Sequence, residues 1–379
     1  MQQVSEGIQQ EPKTRAQSLV PSAPGLPGHV NALDGYRGFA VLAVITGHYL
    51  SHQGLGKFAL ATSAAWTGVD AFLVLSAYLI TSILYRQRGS DRFFQRFYTR
   101  RALRLFPLYY FIVLLTLALT PILHIHWRLG HIPFFLYATN IVLPWDQSLG
   151  GLGPLNFHHL WTLALEEQFY LVWPWFVGSR LSRAALIRVC WIGIVVAFFL
   201  RVYMVHYDLN GWVIYQSLPT RMDSLLVGAL LALSPLPSVR TCWIGVLGGL
   251  ACFLAVILHG HTIFFTSPEM MTVGYSAVAL LYVSLLALAL HRGTLLQRLL
   301  TTGWLRQYGK YSYGLYLWHY IFFGQVLEFE QWMATVVPVP AVASLLSFAI
   351  CLSIATLIAV LSYHFIEAPF LRLKRRYES

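Results

Sequence analysis

Arg37 and His48 lie eleven positions apart in DGYRGFAVLAVITGHYLS, an otherwise apolar run. On an α-helix eleven residues make about three turns with an angular drift of roughly 20°. Both side chains then fall on one face, roughly 16 Å apart along the axis. An imidazole takes up and returns protons near neutral pH, and a guanidinium holds anions by charge and paired hydrogen bonds. Both are costly in lipid, so they belong against protein, water or substrate. The structural alternative is an arginine that snorkels to the surface and a histidine satisfied inside a bundle.

Four other groups could join this chemistry. Glu166 and Glu167 interrupt the apolar run HLWTLALEEQFYLVWP. Neighbouring helical residues project about 100° apart, so the two carboxylates are not expected to share a partner. An acid inside a membrane helix marks a functional site, or else a structural salt bridge to an arginine elsewhere. Arg100, Arg101 and Arg104 cluster in FYTRRALRLFPLYY, with Arg100 and Arg104 on one face. Such a cluster suits phosphate groups, or the anionic lipid surface. Asp70 opens the second apolar run, from which it could approach His48 and hold its tautomer, or cap its own helix. In YSYGLYLWHY, Tyr313, Tyr316 and Tyr320 follow a helical spacing with His319 three residues after Tyr316. Tyr316 and His319 are candidate orienting groups; the alternative is packing.

Other signals carry less. His124, His126 and His131, and the pair His158 and His159, match no strong zinc spacing, so no metal is expected. Cys190, Cys242, Cys252 and Cys351 lie in apolar segments without a CxxC pair and read as small buried residues. No P-loop or GxSxG elbow is present.

The elements that position these residues follow from composition. The 379 residues are 57% hydrophobic and only 11% charged, with mean hydropathy +0.60. A soluble domain carries about 25% charged residues. The expected fold is an all-α polytopic membrane protein, since backbone polar groups in lipid must be satisfied locally and the apolar runs do not alternate. The net charge of +11 sits in short segments between apolar runs, which the positive-inside rule explains without a nucleic-acid partner.

About ten membrane helices are expected: 36–51, 68–85, 105–123, 159–177, 184–204, 222–234, 242–258, 271–291, 311–327 and 339–365. The sixth could begin nearer Leu218. Residues 132–143 are apolar but too short to span and read as a re-entrant or interfacial segment after the third helix. With the amino terminus inside, each inner segment is rich in arginine, from Arg86–Arg104 to Arg372–Arg376. The outer segments hold little beyond Lys57 and Arg128. A spanning 132–143 would invert everything after it and break the rule. Residues 1–30 read as a disordered cytosolic tail, 31–372 as the transmembrane domain, and 373–379 as a basic cytosolic tail.

Six segments in order resemble the acyltransferase family 3 of membrane proteins, which acylate cell-surface sugars and other acceptors. They are LDGYRGFAVLAVITGHY, GVDAFLVLSAYLIT, FYTRRALRLFPLYY, HLWTLALEEQFYLVWP, YSYGLYLWH and HFIEAPFLR, spanning Asp34 to Arg372. Ala77 stands where the family usually has Gly, and Tyr320 where Pro often follows the histidine. The chain ends soon after the last span, so the esterase-like extracytoplasmic domain of some members is not expected. The resemblance implies an integral plasma (inner) membrane enzyme with both termini cytosolic. It would transfer an acyl group, acetyl first, from cytosolic acyl-CoA to a carbohydrate, glycolipid or small-molecule hydroxyl at the outer face. Arg37, Arg100, Arg101 and Arg104 would hold acetyl-CoA or another acyl-CoA. His48 would be the general base or a transient acyl carrier, with Arg37 and Glu166 in the catalytic set. Asp70, Glu167, Tyr316 and His319 would bind or orient substrate, with membrane lipid as the surrounding partner. The rival reading is a non-catalytic transporter or flippase for lipid-linked sugars.

Overall fold

The computed structural model describes residues 30–50 and 62–374. The amino-terminal tail up to residue 29, the link at 51–61 and residues 375–379 lie outside the described residues. Helices dominate. The long ones are α1 (Asn31–Leu50), α2 (Gly68–Gln87), α3 (Phe93–Ala118), α4 (Leu160–Gly178), α5 (Arg183–His206), α6 (Leu218–Leu233), α7 (Val239–Gly260), α8 (Tyr275–Leu290), α9 (Gly303–Ile321), α10 (Phe323–Val336) and α11 (Pro340–Ser362). The described strands are a two-residue antiparallel pair, Gly151–Leu152 with Leu155–Asn156.

Six helical stretches are long and apolar enough to cross a membrane: Ala64–Gln87, Phe93–Ala118, Arg183–His206, Val239–Gly260, Met270–Leu290 and Pro340–Leu373. Each overlaps one of the expected spans. Helices also form at the four other expected places, as α1, α4, α6 and α9. Those four are shorter or carry the charges, as with Arg37 in α1 and Glu166 in α4. The division has a physical cause. Trp191, Ile192 and Phe199 of α5, Ile244, Leu247 and Leu258 of α7, and Leu345, Ile354 and Leu357 of α11 are exposed. They form an apolar belt that lipid would cover. α1, α6 and α9 are largely buried inside it, while α4 also shows Leu171 and Trp175 to the outside. Residues 132–143 form a 3-10 helix over Leu129–Leu136 and one α-turn over Thr139–Val142. Beside them Arg128 reaches Asp146, and hydrogen bonds from Ser148 hold the Asp146 carboxyl below its usual range.

Several boundaries differ from expectation, two of them with consequences for the site. The arginine-rich segment before the third span is itself helical, so α3 begins at Phe93 rather than near Leu105. The ninth span ends at Ile321, and α10 starts afresh at Phe323.

Backbone-to-backbone packing sets the register of the two helices that matter most. A Cβ on Gly38 would lie 2.0 Å from the Leu305 carbonyl oxygen, and one on Gly309 1.8 Å from that of Asp34. Small residues let membrane helices approach this closely. α1 and α9 therefore run parallel in contact, and His48 and His319, each ten residues beyond one of these glycines, arrive at one level. Gly309→Ala must push the helices apart. It is expected to cost about 1–3 kcal/mol and to part the two imidazoles. A lowered thermal unfolding midpoint in detergent, with lost activity, checks this.

Candidate active site

α1, α2, α3, α4 and α9 surround a cavity of about 340 Å³. Four arginines line it, Arg37, Arg86, Arg101 and Arg104, against two carboxylates, Asp34 and Glu166. Arg37 lies 3.6 Å from Asp34, one turn away on α1. Arg101 is shared. Its Nε donates to Glu167 Oε1 at 3.2 Å, and its Nη2 lies 3.5 Å from Glu166 Oε2. The expectation that adjacent carboxylates could not share a partner is thus corrected. A planar guanidinium presents donors along two edges, and two flexible Glu side chains close the 100° between them. Tyr170 lies beneath the guanidinium, 3.7 Å from its carbon, and donates to Glu166 Oε2 at 2.8 Å. Ser76 donates to the other Glu166 oxygen at 3.2 Å.

Arg104 makes no ion pair or hydrogen bond among the described residues, yet it faces the cavity. The cavity takes Arg101 and Arg104, which share a face at i, i+3, while Arg100 does not line it. The expected cluster of three is therefore divided, because positions 100 and 101 point about 100° apart. Tyr316 and Thr162 form the far wall. The Tyr316 hydroxyl bonds to Thr162 and donates to the His159 carbonyl at 2.8 Å.

One turn beyond Tyr316 stands the imidazole pair. His48 Nδ1 and His319 Nε2 are 3.0 Å apart, with the rings stacked. His319 Nδ1 lies 2.7 Å from the Tyr316 carbonyl oxygen. A carbonyl can only accept, so His319 Nδ1 carries the proton and its Nε2 accepts. His48 Nδ1 must then be the donor, which leaves the lone pair on His48 Nε2. The tautomers are assigned from this network. Tyr49 donates to the His319 backbone carbonyl at 2.5 Å, and the Tyr320 ring lies 4.5 Å from that of His48.

Asp70 does not reach His48. It is fully buried and accepts from Arg221 Nη2 and from the Ser224 hydroxyl, both at 2.7 Å. It does not cap its helix either, because the guanidinium outcompetes a lone backbone amide for a buried carboxylate. A second buried pair, Arg201 of α5 with Asp223 of α6 at 2.8 Å, shares α6 with the first. Ser276 bridges it, donating to Asp223 and accepting from Arg201. Arg201, Arg221 and Asp223 were not singled out from the sequence. Their signal was present as charges inside or at the mouth of apolar runs. His159 was set aside as part of an outer cluster, and it is instead buried against His319.

An apolar helical bundle with a cation-lined cavity running toward a pair of imidazoles, His319 buried and His48 half-buried, defines a multi-pass membrane protein with a polar centre. The chain belongs to acyltransferase family 3: the model of that family, described as an acyltransferase domain, matches residues 30–364. The chain is 33% identical over 372 residues to YrhL of Bacillus subtilis, a protein provisionally named a peptidoglycan O-acetyltransferase. It is 31% identical to the peptidoglycan O-acetyltransferase OatA of Listeria monocytogenes and 30% identical to the O-acetyltransferase OatA of Staphylococcus aureus. Each match covers 90% of this chain and 55–57% of the relative. The chain thus spans about half the length of the curated relatives it matches. No solved structure matches it.

Proposed function

We propose that the protein transfers an acyl group, acetyl first, from cytosolic acyl-CoA to a hydroxyl of a cell-envelope carbohydrate. This acceptor class is the one in the names of its relatives. The arginine-rich helix ends face the cytosol in this reading, with both termini inside and the plasma membrane as the site. The observation that carries it is a base with an assigned lone pair, His48 Nε2, set beyond a cavity lined by more arginines than carboxylates.

The residues fit an anionic donor. Arg37 and Arg104 would hold its phosphates at the cavity mouth, and the thioester arm would follow the cavity toward Tyr316. Arg101 is neutralised by Glu166 and Glu167, so it shapes the wall rather than adding free charge. Glu166 acts here by holding Arg101. His48 Nε2 takes the proton from the acceptor hydroxyl, whose oxygen attacks the thioester carbonyl. The C–O bond forms, the C–S bond breaks, and the thiolate leaves with the proton His48 had taken. His319 keeps His48 in the productive tautomer, the part a carboxylate plays in a hydrolase triad.

The test is labelled acetyl-CoA with the full chain in sealed vesicles. Free thiol inside and labelled saccharide outside are expected. No thiol release, together with saccharide movement without acetyl-CoA, would replace this reading by the transporter. Arg104→Ala is expected to weaken CoA binding about tenfold, the effect of one charge-assisted hydrogen bond. Titration calorimetry at two salt concentrations checks it, with the variant less salt-sensitive.

A further inference from the structure

His159 is a buried imidazole that the mechanism above leaves unused. It precedes α4, is 3% exposed, and is held from both sides by α9. Its Nε2 lies 3.1 Å from the Leu317 carbonyl oxygen, and its own carbonyl accepts from the Tyr316 hydroxyl. Because the Leu317 carbonyl can only accept, Nε2 carries the proton and Nδ1 carries the lone pair. That Nδ1 is buried and has no hydrogen-bond partner. Leaving a buried acceptor unsatisfied costs about 1–3 kcal/mol. Such a cost marks a site that waits for a donor.

Its surroundings say which donor. The His159 ring lies 5.5 Å from that of His319 and 5.4 Å from that of Tyr320. The same two rings flank His48, at 5.1 and 4.5 Å. Two imidazoles with fixed tautomers, each offering a lone pair, therefore share one aromatic-walled centre. One lone pair can take the proton of a reacting hydroxyl. The other can only accept a hydrogen bond from a second O–H or N–H on the same molecule. A sugar carries further O–H or N–H donors on atoms close to most of its hydroxyls; a simple alcohol has none, and the second O–H of water is on the reacting oxygen itself.

We infer that His159 is an acceptor-binding residue, which selects molecules bearing a second hydrogen-bond donor next to the hydroxyl to be acylated. The inference rests on the acyl-transfer reading. His159 Nδ1 receives that second donor, its partner orients the reacting oxygen on His48, and no proton is transferred at His159.

The side chain's two nitrogens can be tested separately. In His159→Gln the amide N–H2 can still reach the Leu317 carbonyl, but the Nδ1 acceptor is gone. In His159→Asn the acceptor position is kept and the anchor is lost. With the full chain in detergent, acetyl-CoA and a peptidoglycan disaccharide as probe, His159→Gln should keep the wild-type unfolding midpoint. It should lose about tenfold or more in kcat/KM for the disaccharide, while hydrolysis of acetyl-CoA by water is unchanged. Wild-type transfer by His159→Gln, or equal loss of transfer and hydrolysis with a lowered midpoint, overturns the inference and leaves the enzyme reading intact. If His159→Gln fails to fold, the wild type decides with disaccharides lacking one neighbouring donor group each. One of them should lose about tenfold, and no loss with any of them overturns the inference. No turnover of acetyl-CoA by the wild type ends both readings together.

Discussion

Replacing His48 by alanine is expected to lower acyl transfer by about 10²–10⁴-fold, the contribution of a positioned general base, with CoA binding unchanged. The separation follows from place. The arginines that would hold the donor line the cavity, and His48 lies beyond its Tyr316 wall. The loss should therefore fall on kcat and not on the donor KM. His319 belongs to the same unit. Without it His48 can protonate either nitrogen, and part of the population presents a proton where the lone pair is needed. A double variant should then lose little more than His48→Ala alone, since residues acting as one unit are not additive. Steady-state kinetics with labelled acetyl-CoA checks both statements. Full activity in His48→Ala would remove it from the chemistry.

The second large effect is on stability. Arg101→Ala leaves Glu166 and Glu167 facing each other without their shared cation. Removing one partner of a buried ion pair costs about 3–5 kcal/mol. Arg101→Lys should recover only part of this, because a point charge cannot serve two carboxylates as a planar fork does. The triple change Arg101→Met, Glu166→Gln, Glu167→Gln should regain most of the lost stability, since it removes the charges together. Unfolding midpoints in detergent measure all three. A stable Arg101→Ala with unchanged midpoint would show that water already reaches the carboxylates.

The residues of this site were visible in the sequence to the extent that charge in an apolar run is conspicuous. Arg37, Arg101, Arg104, Glu166 and His48 stand out because each is expensive in lipid. The membrane class and the helical content follow from the same physics, as backbone groups in lipid allow little else. The order of six motif segments was enough to place the chain in its family. Pairing was another matter. Asp70 could have approached His48 or capped its own helix as far as the sequence goes, but its partner Arg221 lies 151 positions away. Glu166 and Glu167 were expected to diverge, because helix geometry fixes the backbone direction of a side chain and not the reach of the group that meets it. His159 read as one of an outer pair of histidines without a metal spacing. Only the docking of α4 on α9 turned one ring inward while its neighbour His158 bonded to the Gln147 carbonyl.

The sequence by itself determined which residues must be buried with company, since local composition sets the cost of a charge in lipid. The tertiary structure alone decided which company they keep. The glycine-to-backbone contacts of α1 with α9 set the level at which His48 meets His319, and carbonyls at Tyr316 and Leu317 set which nitrogen of His319 and of His159 carries the proton. Contacts between segments hundreds of residues apart leave no periodic trace in the chain, because each depends on how two surfaces pack and not on either surface alone.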